Sequence, residues 1–221
     1  MTKANRRTSS ASAKNGENFL NQRRRNPPRV SVRGNIANAT HIQGTELLNT
    51  ITTNSSGAAV AVVPLIAGSP VGLSTGYTPL QSVAKIYNQF LFKTSHVQYI
   101  PSVGMTTPGN VTIAFINNSE SMFYLLEPSR TISEIGAIVL GQANAVTHPI
   151  WHEFSYPMNL PARRKRFDVN GTSTILDVNT IERDCQGVFV IYVSGAPGVT
   201  DVAVPRRISS MLLEGLSSFI P

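Results

Sequence analysis

A single cysteine, Cys185, stands in 221 residues, so no internal disulfide and no cysteine-rich zinc site can be built, and the count fits a reducing compartment. No apolar run approaches the roughly 18 residues of a membrane span, and none lies near the first residue. Neither a membrane helix nor a signal peptide is expected, which points to a soluble chain made in the cytoplasm. The five Asn-x-Ser/Thr sequons at Asn38, Asn54, Asn110, Asn117 and Asn170 then carry little meaning. Aromatics are only 7% of the chain, which argues against a reader of single-stranded nucleic acid built on stacking platforms. What is present is a 23.9 kDa chain, 41% apolar, long enough to bury a sizeable core.

The net charge of +7 is unevenly placed. Residues 1–33 hold Lys3, Arg6, Arg7, Lys14, Arg23, Arg24, Arg25, Arg29 and Arg33 against Glu17 alone, whereas the remainder holds 10 basic and 11 acidic residues. The basic segment has few large apolar side chains and cannot fold alone. Residues 1–40 therefore read as a disordered arm, and 41–221 as the folded body. A cationic arm on a near-neutral body suits a polyanion, because Lys and Arg release counterions from phosphates without reading sequence. Nucleic acid is the favoured partner over a nuclear-localisation signal at Arg23–Arg25, a membrane-surface tether or a solubilising tail. Pro27-Pro28 stiffens the exit from the arm, and 26–30 is the expected hinge.

The body alternates short β-prone stretches with Gly, Pro, Asn and Ser, the pattern of a sandwich or barrel. Strands are expected over 45–53, 58–66, 90–100, 110–116, 145–156 with a kink at Pro149, 173–182, 187–194 and 202–213. Thr78-Pro79 starts a short helix ending near Asn88. Thr131-Ile132-Ser133-Glu134 is a capping box that opens a second, reaching about Leu140 before Gly141. The fold class is thus all-β: an eight-stranded jelly-roll sandwich with two short helices.

Little in the chain suggests catalysis. Gly72-Leu73-Ser74-Thr75-Gly76 matches a nucleophile elbow, but Tyr77, Thr78 and Pro79 separate it from the helix, and an all-β chain lacks the strand-to-helix context. His148 and His152 are four apart; in one strand they would share a face about 13 Å apart, so zinc binding is disfavoured and a structural or inter-subunit role is expected. Cys185 has no CxxC partner and reads as an inert thiol. The dense run Arg163, Arg164, Lys165 and Arg166, with a smaller one at Arg206-Arg207, is balanced between a solvated loop and a secondary contact, either to RNA or across a subunit boundary.

The stretch Phe90–Phe115 (FLFKTSHVQYIPSVGMTTPGNVTIAF) resembles the coat proteins of small icosahedral plant RNA viruses of the tombusvirus and sobemovirus type. The preceding helix (TPLQSVAKIYNQF) and the late strand Gly187–Val193 (GVFVIYV) are similar to the same pattern. The resemblance spans roughly 45–215 as a shell domain. With no protruding domain expected, it is nearest the shell-only coats of sobemoviruses or ourmiaviruses. It implies a capsid protein, not an enzyme, that assembles with itself into a T=3 icosahedral shell of roughly 180 copies and packages single-stranded RNA on its arm. The nine basic residues of the arm are then the RNA-binding set. The expected location is the virion, with host cytoplasm before assembly and no membrane partner. The family places a calcium-binding Asp-x-x-Asp after the strand ending at Ile116, where this chain has Asn117, Asn118 and Glu120. Neutral amides offer a hard cation little charge, so no metal is assigned, no cofactor is expected and interfacial calcium is disfavoured. The alternative is a non-capsid RNA-binding β-sandwich, such as an RNA chaperone or silencing suppressor.

Overall fold

The computed structural model describes residues 30–34, 39–67, 83–84, 86–127, 129–159, 167–169 and 178–216. Its strands are β1 (Val30–Gly34), β2 (Ala39–Leu47), β3 (Ile51–Thr52), β4 (Ala59–Pro64), β5 (Tyr87–Tyr99), β6 (Asn110–Ile116), β7 (Val146–Pro149), β8 (Phe154–Pro157), β9 (Phe167–Asp168), β10 (Val188–Ser194), β11 (Asp201–Ala203) and β12 (Arg206–Leu216). Three helices, α1 (Ser119–Leu126), α2 (Ile132–Leu140) and α3 (Val178–Asp184), lie between β6 and β7 and ahead of β10.

Two sheets make the jelly roll. One runs β1-β2-β12-β5-β8 with β9 also on β5; the other runs β4-β10-β6-β7. Removing β1 and β9 leaves two sheets of four strands each, the expected eight-stranded sandwich. All described pairings are antiparallel, and neighbours in space are distant in sequence, as Greek-key connections require.

The four-stranded sheet owes its sequence to being covered twice. In β6, Val111, Ile113 and Phe115 point into the core between the sheets, while Ala114 and Ile116 join a second cluster with Met122, Leu125, Ile135 and Val139 of the helices. In β10, Phe189, Ile191 and Val193 enter the first cluster, and Val188 and Val190 the second. Period-two alternation disappears because both faces are apolar. The larger sheet contributes Ile42, Phe90, Phe92, Val97, Tyr99, Met211 and Leu213 to the shared core.

Several expectations change. The segment 45–53 is divided between β2 and β3, and 202–213 between β11 and β12, with Pro205 at the second break. The expected kinked strand 145–156 is two strands in different sheets: Pro149 closes β7, and the chain crosses before β8 begins. Of the strand expected over 173–182, residues 178–182 are instead helical, within α3, because Ile181 and Cys185 fall one turn apart on its buried side, and 173–177 lie outside the described residues. The helix expected to end near Asn88 stops earlier, since β5 starts at Tyr87; residues 83–84 are helical, and 68–82 lie outside the described residues. Helix α1 was not foreseen at all. The expected disordered arm also extends too far: Val30–Gly34 pairs with Gly44–Thr40 of β2.

Candidate assembly surface and polyanion contacts

Four connections meet at one end of the sandwich. The β11-side loop 195–200 is bound on one side by Thr53, whose N–H donates to Thr200 O at 3.0 Å and whose Oγ1 accepts from Thr200 N–H at 3.0 Å. Ala196 N–H donates to Gly57 O at 3.1 Å, and Ser102 N–H to Val202 O at 2.9 Å. Ile150 N–H donates to Gly109 O at 3.2 Å. The approach is close enough to demand glycine: a Cβ on Gly57, which has φ 74°, would lie 1.9 Å from the Ala196 carbonyl oxygen.

This end is nearly free of charge. Residues 48–58, 101–109 and 195–200 contain no Asp, Glu, Lys or Arg, and Met105 and Val199 are 77% and 72% exposed. Copies related by rotation bring identical residues face to face, so like charges there would repel, while uncharged apolar tips can meet their own kind. Val199 was not singled out from sequence, although the uncharged run Gly195–Thr200 was visible.

The sequence-derived site residues fare differently. Lys3, Arg6, Arg7, Lys14, Arg23, Arg24, Arg25 and Arg29 lie outside the described residues, as do Arg163, Arg164, Lys165, Arg166 and Ser74. Arg33 is in β1, opposite His41 of β2. Arg207 is no polyanion contact and no bridge between subunits. It is 4% exposed, and its Nε and Nη2 donate to Oε2 of Glu46, itself 3% exposed, while Nη1 donates to Pro64 O at 3.1 Å. An inward position on β12 makes the guanidinium a link between the sheets, which a reading of Arg206-Arg207 as an exposed pair could not anticipate. Arg206, one residue earlier, is half-buried and belongs to the opposite face.

The segment matching the family's calcium position is a helix cap. Asn118 Oδ1 accepts Ser121 N–H at 3.0 Å at the N-terminus of α1, and Glu120 sits in its first turn. Asn118 followed by Met122, Leu125 and Leu126 was the available signal for that helix. Among the described residues, no three His, Cys, Asp or Glu side chains gather to hold a metal ion. Cys185 is buried, and burial pushes its thiol up to about 12, which suits an inert side chain.

The histidine pair departs from the expectation of separation. Because the chain turns at Ile150-Trp151, with His152 N–H donating to Pro149 O at 3.0 Å, the rings of His148 and His152 stack with centroids 4.9 Å apart and planes 17° apart. Among the described residues, no helix is long and apolar enough to cross a membrane.

Comparison with known proteins agrees with this architecture. The family model for viral coat protein (S domain) matches residues 18–147. The solved structure of tobacco necrosis virus is similar at 16% identity with TM-score 0.66, over 88% of this chain and 90% of that one. Cucumber necrosis virus gives 16% and 0.65 over 87% of this chain and 56% of that chain. Maize chlorotic mottle virus gives 15% and 0.63, over 82% and 97%. No curated protein matches by sequence. At these identities the solved structures speak for the fold, and the family match, over more than half of the chain, settles membership: this chain belongs to the viral coat protein family, as a shell-forming structural protein of a small icosahedral virion and not an enzyme.

Proposed function

We propose that the arm ahead of β1 packages the genome, and that copies of the body tile a T=3 shell through the uncharged loop end. The observation that carries the first part is the segregation of charge: nine Lys and Arg residues against one Glu in residues 1–33, on a body with 10 basic and 11 acidic residues. Binding through such an arm neutralises phosphates without base contacts, so it is tolerant of RNA sequence and weakens steeply with salt. With roughly 180 arms, each of net charge +7 over residues 1–29, the shell would bring on the order of 1,300 positive charges to its interior. The second part rests on loops that lack charge and expose Met105 and Val199. In this reading the chain resides in host cytoplasm before assembly, and no metal is required, because Asn118 is engaged in capping α1.

The test is sedimentation and electron microscopy of the full chain and of a variant lacking residues 1–29, at low and high salt, with bound nucleic acid read from the absorbance ratio. The full chain should give closed particles of uniform size carrying RNA. The truncated chain should lose most of the RNA. Equal RNA in both would refute the arm's role, and one- or two-chain species that bind RNA under all conditions would instead favour a binding module.

A further inference from the structure

Four rings gather where β7 crosses to β8. His148 lies between His152, at 4.9 Å, and Phe154, at 4.3 Å between centroids, while Trp151 presents its edge to His152 at 6.1 Å. Phe154 in turn packs on Tyr99 at 5.4 Å, and the Tyr99 hydroxyl donates to Ile150 O at 2.9 Å. Ile150, wholly buried, is bound through its N–H to Gly109 O. The stack therefore closes a turn fastened at its centre to both sheets, next to the loop 101–109.

We propose that the stacked His148–His152 pair is an acid-released latch on the β7–β8 crossover, closed while both imidazoles are neutral and opened when they take up protons. Neutral imidazoles can stack face to face with an aromatic neighbour; two imidazolium rings at that spacing repel, and the half-buried His148 also loses part of its hydration. The flanking segments supply a single carboxylate to offset that charge, Glu153, and it is engaged by Gln98. Strand β6, the loop 101–109 and the loop 195–200 contain no ionisable side chain, and β7 has only His148 itself. Glu153, the one carboxylate of the crossover, accepts a hydrogen bond from Gln98 Nε2 at 2.8 Å. On β5, Tyr99 is held neutral by burial, which raises its pKa, and His96 is paired in register with Pro157 at the far end of β8. On β8, burial likewise keeps the Tyr156 hydroxyl protonated.

The direction of the response follows. Burial first, and the neighbouring His152 second, hold the His148 pKa below the ordinary histidine value. A group lowered in this way favours the folded form above the ordinary histidine range. That contribution is lost as pH falls through this range toward the lowered native value. The latch is a property of one subunit and stands apart from RNA packaging and shell geometry.

The experiment is amide hydrogen exchange of the full chain, corrected for intrinsic rates, compared between about pH 7.5 and about pH 5.5. In the wild type, protection over residues 146–157 should fall on acidification. Residues 110–116 should hold. His152→Phe keeps a stacking ring without a titrating charge and should stay protected at both values; His152→Lys should be unprotected already at the higher one. The same acid response in wild type and His152→Phe would overturn the latch. Should either variant not fold, ring-proton NMR of the wild type decides the matter: His148 is expected to take its proton below the ordinary histidine value. A His148 that titrates at the ordinary histidine value would refute the proposal.

Discussion

The two sheets of this sandwich treat charge in opposite ways. Strands β4, β10, β6 and β7 contain no Asp, Glu, Lys or Arg, whereas the larger sheet carries Arg33, Glu46, Lys93, Asp168, Arg206, Arg207 and Glu214. The difference follows from what covers each. Helices α1, α2 and α3 cap the outer face of β6 and β10, so a charged side chain on either face of those strands would be stranded without water. The outer face of the larger sheet keeps exposed positions such as Gln43, Gln89 and Thr94. Only its inner face demands burial, and there it buries one ion pair together with its hydrogen bonds. Sequence composition of a strand thus reports how many of its faces are covered, which is a statement about architecture.

The sharpest way to break the contrast is to remove one half of the buried pair. Glu46→Leu leaves the Arg207 guanidinium with Pro64 O as its remaining acceptor and should cost about 3–5 kcal/mol in urea unfolding. The double variant Glu46→Leu/Arg207→Leu should recover much of that loss, making the larger sheet resemble its partner. Next in size is Gln186, whose side chain spans the gap between sheets: Oε1 accepts Phe92 N–H at 2.7 Å and Nε2 donates to Phe92 O at 2.9 Å. Gln186→Leu strands both backbone groups and should cost about 2–4 kcal/mol by the same measurement.

A smaller effect tests the helical cover. Asn118→Ala removes the α1 cap and should cost about 1 kcal/mol. The α2 cap adds a pH dependence. Glu134 accepts from Thr131 N–H and Oγ1–H, each at 2.9 Å, which holds its carboxyl below the ordinary glutamate value. Its contribution is present above the ordinary glutamate range and is lost as pH falls through it toward the lowered native value, a slope that Glu134→Gln should flatten. Least of all, Gln43→Thr on the exposed face of β2 should stay within about 0.5 kcal/mol of wild type.

Much of this was legible in the chain. The bounds of β6 were read to the residue, and the capping box at Thr131 is present with both of its reciprocal bonds. Such features are local: their cause lies within a few residues of their effect. The errors have a common origin in partners remote in sequence. Glu46 and Arg207 are separated by 161 positions, so nothing near Arg207 announces that it is buried. In α3, a β-prone composition lost to a docking site on α1. The stack of His148 on His152 depended on whether Pro149 bends a strand or ends it. The segregated basic charge could be read directly, but the uncharged loop end emerged only when the topology brought 48–58, 101–109 and 195–200 together.

The pairing of β1 with β2 fixes more than a sheet edge. It fixes Val30 to the sheet, so a residue n positions ahead of it lies within about 3.5 Å times n of that edge whatever its conformation. If the basic residues ahead of Val30 hold a polyanion as proposed, its effective concentration is set by that distance and hardly at all by how much is free in solution. Lengthening or shortening the chain ahead of Val30, with every charge retained, would therefore tune capture as surely as adding or removing an arginine.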